Sequence, residues 1–228
     1  MKLDTKNLVS EIDKRICERS ILKHPFYADW QSGKLTIPML KEYAKQYYKH
    51  VAAFPQYLSG VHFKMDNFED RKLVLQNLMD EENGPDNHPE LWMRFAESLG
   101  ISRDAVNSTT PTPETTQFVN HFKNATANGT IAEGIAALYT YESQIPRVSE
   151  EKICGLIEFY GIDSRDALEY FKVHMHADIE HSEAERKLIM KYAKTEEEQE
   201  KVLKIVDSTL DAYWNMLTGV QKLCGKAC

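Results

Sequence analysis

The chain has 228 residues, 42% of them hydrophobic, and a net charge of −7. That is enough chain for one domain with a sizeable core, and the acidic balance disfavours nonspecific binding to nucleic acid or anionic membrane, both of which select cationic surfaces. No run approaches the roughly 20 apolar residues that a bilayer requires, and Met1-Lys2-Leu3-Asp4-Thr5-Lys6 leads into a charged amphipathic segment, so a soluble cytoplasmic protein is expected. Cys17, Cys154, Cys224 and Cys228 form no CxxC pair; they read as reduced thiols, the last two on a frayed helical tail.

In chain order the signals are almost wholly helical. Leu8, Ile12 and Ile16 recur at i, i+4 and i+8 and give a first apolar face before Ser20. Thr36, followed by Pro38, opens a second helix that runs to about Met65 and is interrupted or bent near Pro55. Asp66-x-x-Glu69, Thr130-x-x-Glu133 and Thr195-x-x-Glu198 have the spacing of reciprocal N-terminal caps, and Thr112-Pro113-Glu114 marks another start. Stops fall at Gly84-Pro85, Gly100, Asn128-Gly129 and Gly161, residues tolerant of the left-handed region. With no repeat and no long linker, the expectation is one all-α domain over residues 1–228, a bundle of about seven to eight helices.

Bundles build metal and cofactor sites from side chains on facing helices. His174, Asp178 and His181 lie at i, i+4 and i+7, within an arc of roughly 60° on one helix face. Two imidazoles and a carboxylate on one face suit a transition metal, although a plain polar face has the same spacing. His176 lies about 200° around the helix from His174 and falls outside the set. Glu142 sits in Ala136-Ala137-Leu138-Tyr139-Thr140-Tyr141-Glu142, an apolar and aromatic run that should be buried; a buried carboxylate is costly unless paired or metal-bound. Glu81 follows an apolar face and His88 comes seven residues later, beyond the Gly84-Pro85 break. If the break is a local kink, both face one site; otherwise Glu81 and Glu82 are solvated and His88 caps the next helix. Together Glu81, His88, Glu142, His174, Asp178 and His181 suit two iron or manganese ions, and a single metal on two His and one carboxylate stays open.

These words, with His24-Pro25-Phe26-Tyr27, Tyr43-Ala44-Lys45-Gln46-Tyr47-Tyr48, Asn77-Leu78-Met79-Asp80-Glu81-Glu82-Asn83-Gly84 and Ser143-Gln144-Ile145-Pro146-Arg147, resemble the haem-oxygenase-like dimetal oxidases over nearly the whole chain. The nearest group is the CADD-like proteins, the chlamydial proteins associating with death domains; PqqC and TenA proteins are relatives in fold. The resemblance implies a haem-oxygenase-like bundle, a homodimer, and the six residues above as ligands of two Fe or Mn ions, with O2 and an external reductant as further requirements. It also implies para-aminobenzoate formation for folate synthesis, with Tyr27 as the consumed ring, Lys152 as the amino donor and Tyr43 as a relay or ring-holding residue.

Without the resemblance, Tyr27 and Tyr43 read as core packing and Lys152, in Ser149-Glu150-Glu151-Lys152, as an exposed helix residue. Arg147 offers a guanidinium for a carboxylate, and His24 invites comparison with an axial haem ligand, although nothing else suggests a porphyrin site. Three alternatives stand beside the dimetal oxygenase: a metal-free PqqC-like oxidase, a TenA-like hydrolase using a nucleophile such as Cys17 or Cys154, and a non-catalytic module that binds a host death domain, with secretion into a host.

Overall fold

A computed structural model describes residues 4–225. The expectation of a frayed tail at Cys224 and Cys228 falls outside what is described, since the Cys224 side chain and residues 226–228 are not part of it. Among the described residues every regular element is helical. The chain runs through α1 (Thr5–Glu18), a short 3-10 turn (Ile21–Lys23), α2 (Pro25–Gln31), α3 (Ile37–Val51), α4 (Phe54–Lys64), α5 (Phe68–Glu82) and α6 (His88–Ser98). It continues with α7 (Arg103–Ser108), α8 (Pro113–Asn128), α9 (Ile131–Glu142), α10 (Ile145–Tyr160), α11 (Arg165–Tyr192) and α12 (Glu196–Gly225). None of these helices is long and apolar enough to cross a membrane.

The all-α expectation holds, and the segment count exceeds eight because prolines divide runs that read as continuous. Pro55 opens α4 and Pro146 opens α10, each in the first turn of its helix, where a missing N–H costs nothing. Thr130 and Glu133 form the expected reciprocal cap of α9, and Thr195 exchanges the same bonds with Glu198 ahead of α12. At α5 the cap is Asn67 rather than Asp66: the Asn67 side chain accepts from the Asp70 N–H at 3.0 Å. Gly84, Gly100 and Gly161 take positive φ as expected. Gly129 does not; at φ −71° and ψ 172° it is extended, so it ends α8 without the left-handed turn.

Two packing features place the site. Helix α9 is hydrophobic almost all round and buried from Gly134 onward, so Glu142, the one acid in that buried stretch, arrives in the interior at the helix C-terminus. Helix α11, about 42 Å long at 1.5 Å per residue, packs against α6, α9 and α10. Its buried stripe changes character along its length: Ala167, Leu168 and Phe171 are apolar, His174, Asp178, His181 and Glu185 polar, Leu188 and Ile189 apolar again.

On the other side of α10, Gly155 lets α2 close in. A Cβ there would sit 2.6 Å from the Trp30 ring, and the Trp30 indole N–H donates to the Lys152 carbonyl at 3.3 Å. Gly155→Ala is expected to push α2 away and cost about 1–3 kcal/mol, read as a lower urea midpoint with an unchanged slope.

Candidate metal centre

The centre forms where the end of α5, the start of α6, the end of α9 and the middle of α11 converge. Gly84 at φ +80° turns the chain, and Asn87 pins that turn by donating to the Gly84 carbonyl at 2.8 Å while accepting from the Glu90 N–H at 3.0 Å. Asn87, not His88, is therefore the cap of α6. The break is the tight kind: Glu81 in the last turn of α5 and His88 in the first turn of α6 meet across it, Oε1 to Nδ1 at 2.8 Å.

Two groups result. Glu81, His88 and His174 offer ligand atoms within 4.8 Å of one another, and so do Glu142, Asp178 and His181. All six side chains are buried. Several of these atoms have no hydrogen-bond partner despite close neighbours: His88 Nδ1, Glu142 Oε2, both Asp178 oxygens and His181 Nδ1. His181 Nδ1 is 3.2 Å from Glu142 Oε1 and 3.4 Å from Asp178 Oδ1. Buried ligand atoms this close together and without hydrogen-bond partners could hold a cation.

The outer ring atoms support this. His174 Nδ1 donates to the Tyr170 carbonyl at 2.6 Å, which leaves Nε2 with its lone pair inward. His181 Nε2 lies 3.1 Å from Asp80 Oδ2, which orients the ring so that Nδ1 faces the carboxylates. Asn77 Nδ2 donates to Glu142 Oε1 at 2.9 Å.

Electrostatically the metal-free cluster is frustrated. Burial pushes Asp178 up to about 7, with Glu142 adding to the rise. Burial works against the His181 imidazolium, but the Asp178 and Glu142 carboxylates outweigh it and carry the ring to about 11. Burial would raise Glu142 as well, yet His181 leaves it below its ordinary range. Glu185 is held well above its ordinary range by burial and by Glu142. Four acids thus share the interior with three imidazoles, and two divalent cations would balance the four carboxylates in charge.

Sequence reading missed Glu185, although the signal was present: at eleven residues past His174 it falls inside the same arc of roughly 60°. It is 4% exposed and neither carboxyl oxygen has a hydrogen-bond partner. It also missed His50, which lines a small cavity together with Glu81, Glu142, His174 and Asp178.

Tyr27, Tyr43 and Lys152 come together in a second buried cluster. The Lys152 ammonium lies 5.7 Å from the Tyr27 ring centre, 5.2 Å from Tyr43, 4.9 Å from Tyr47, 5.8 Å from Trp92 and 5.4 Å from Phe171. Lys152 is 2% exposed, so its reading as a surface residue is corrected: it sits on the α10 face shared by Ile145, Val148 and Leu156. Burial lowers it to about 7. The Tyr27 and Tyr43 hydroxyls are buried without a partner, and burial holds both phenols well above their ordinary range.

A file of rings joins the two clusters. His174 stacks at 4.1 Å on Tyr170, Tyr170 meets Trp92 edge-on at 4.7 Å, and Trp92 meets Tyr43 at 5.9 Å.

The remaining candidates resolve simply. His24 caps α2, its Nδ1 accepting from the Phe26 N–H at 3.0 Å and its Nε2 meeting Thr218 Oγ1 at 3.0 Å, so neither nitrogen is available to haem. His176 and Arg147 are exposed. Cys17 and Cys154 are exposed free thiols, and neither lines the cavity beside the cluster.

Fold and site together define an all-α bundle with two buried carboxylate–histidine groups able to hold metal ions. The chain belongs to the TENA/THI-4/PQQC family, whose model matches residues 11–220. It is 41% identical to a 4-aminobenzoate synthase of Nitrosomonas europaea, over 96% of this chain and 92% of that one. It is 44% identical to a 4-aminobenzoate synthase of Chlamydia muridarum, over 80% of this chain and 78% of that one. Among solved structures, a TenA homologue from Pseudomonas syringae pv. tomato superimposes with a TM-score of 0.79 at 16% identity, covering 96% of this chain and 91% of the other. That likeness speaks to the fold alone.

Proposed function

We propose that this chain is a dimetal, O2-dependent 4-aminobenzoate synthase that takes the product ring from Tyr27 and its nitrogen from Lys152. The observation that carries the reading is the Lys152 cluster: an amine lowered to about 7 by burial, packed among the rings of Tyr27 and Tyr43 and joined by rings to the six candidate ligands. The names of the relatives supply the product, and the donor set supplies the metals. Glu81, His88 and His174 would hold one ion, and Glu142, Asp178 and His181 the other. Carboxylate and imidazole ligands without thiolate suit iron or manganese, and such ions supply oxidising equivalents from O2 when an external reductant is present.

The chain's own residues do the rest. Tyr27, fully buried, needs no separate substrate-binding step, and its fixed place beside Lys152 gives a proximity advantage. Neutral Lys152, accessible near pH 7, carries the lone pair for a new ring carbon–nitrogen bond. That bond would replace the phenolic C–O bond of Tyr27 with loss of water, and hydrolysis of the Lys152 Cε–Nζ bond would then free the ring amine and leave a hydroxyl on Cε. Phe26 and Trp30 each touch both Tyr27 and Tyr43, and Tyr43 leads through Trp92 to Tyr170, so electrons leaving the phenol have an aromatic route toward His174. The walls are buried rings, Trp30, Tyr47 and Phe171, which shield the reacting groups from bulk solvent.

In this reading residues 1–228 act as one domain, in the cytoplasm, as a homodimer with O2 as its small-molecule partner. Among the described residues no cysteine lines the interior cavity, so a TenA-like hydrolysis has no described thiol there to draw on. Protein expressed with iron and manganese is expected to hold two metal ions per chain by elemental analysis, and fewer than about one would overturn the dimetal reading.

A further inference from the structure

His50, near the end of α3, is 1% exposed, and both its ring nitrogens lack a hydrogen-bond partner. Its surroundings explain why. The rings of Phe54, Tyr57, Phe118, Phe122 and Tyr141 surround it at centroid distances of 4.5 to 5.6 Å, and none of them offers it a hydrogen bond.

For packing alone, phenylalanine would fill this position without leaving a buried N–H donor and a buried ring acceptor unmet, each of which carries a real penalty. The imidazole has one open side. His50 lines a cavity of about 10 Å³, closed otherwise by Glu81, Tyr141, Glu142, Tyr170, His174 and Asp178 among its walls. That is about the room one water molecule needs. Polar walls with one histidine and four candidate metal ligands make it a polar cavity, the kind that holds a guest rather than staying dry.

We infer that His50 is the hydrogen-bonding anchor for one oxygen-sized atom in this cavity: a water molecule in the metal-free protein and, were metals bound, the nearer atom of a diatomic ligand that they would carry. The imidazole is neutral there, since burial lowers it to about 3, so it presents one N–H to donate and one nitrogen to accept. His50 belongs to neither ligand group. It is therefore a positioning residue: it holds what sits beside the metals and does not hold the metals. The second half of the inference rests on the dimetal reading; the first half, the bound water, does not.

Two measurements test it separately. A high-resolution crystal structure of the metal-free protein is expected to show an ordered water within about 3.2 Å of a His50 ring nitrogen; a dry cavity would overturn the inference whether or not the protein binds metal. In iron(II)-loaded protein, nitric oxide serves as the diatomic probe. His50→Phe is expected to keep the wild-type iron content, weaken nitric oxide binding about tenfold, and raise the N–O stretching frequency by removing the hydrogen bond. His50→Gln, which retains a donor, should restore part of both. Unchanged affinity and frequency in His50→Phe, or loss of iron from it, would overturn the positioning role. Failure of the wild-type protein to hold iron would instead count against the dimetal reading, leaving the water beside His50 to decide the present one.

Discussion

Replacing Lys152 with methionine is expected to stabilise the protein by about 3 kcal/mol at pH 6.5, raising Tm by about 6 to 12 °C, while ending 4-aminobenzoate formation. The ammonium is fully buried and burial lowers it from an ordinary 10.5 to about 7, a difference worth roughly 5 kcal/mol between the two protonation states. The five surrounding rings offset part of that by facing the cation, which brings the expected gain down to about 3. The sign with pH follows from which state binds the proton. Below about 7 both folded and unfolded chains carry it, and the burial cost is present in full. Between about 7 and 10.5 the unfolded chain binds a proton that the folded chain does not, so wild-type stability rises with pH. The advantage of Lys152→Met should accordingly shrink to less than about 1 kcal/mol by pH 9.5. Paired urea titrations at the two pH values measure it. A variant no more stable than wild type at pH 6.5 would mean that an unrecognised anion compensates the amine.

Replacing Glu142 with alanine should lower bound metal from two ions per chain to one or none, with affinity at the Glu142, Asp178 and His181 group falling by more than about 100-fold. Outer-shell partners alone are worth about 10- to 100-fold, and Glu142 is closer than that. Glu142 faces His181 Nδ1 at 3.2 Å and has a second oxygen without a hydrogen-bond partner in the buried interior. Glu142→Gln distinguishes a ligand from a packing residue. It keeps volume and can still accept from Asn77, so retained folding with lost metal marks a ligand. Full metal retention in both variants would return Glu142 to a structural role.

The parts of the site that lie on a single helix are legible in the amino-acid sequence. The α11 stripe can be read because a helix repeats every 3.6 residues, and Glu142 because an acid inside an apolar run has few inexpensive places to go. The meeting of Glu81 and His88 cannot be read: it depends on Gly84 taking φ +80° and on Asn87 bonding back to the Gly84 carbonyl, and neither has a periodic signature. Lys152 is legible only through the family resemblance. The residues before it, Ser149, Glu150 and Glu151, are polar, and that Lys152 shares the face of Ile145, Val148 and Leu156 is settled by the packing of α10 against α2 and α11. His50 gives no signal, because a lone histidine in an aromatic stretch looks like any other until its ring nitrogens prove to be unmet. Helix type and site polarity are thus encoded locally, whereas the junctions that assemble the site are encoded in turns and in contacts between distant helices.

Intact-protein and peptide mass spectrometry after metal loading and exposure to O2 with reductant shows whether the protein consumes its own side chain. Loss of mass at Tyr27 and alteration at Lys152 are expected, with no more than about one product molecule per chain. An unchanged Tyr27 alongside sustained product formation would contradict that consumption.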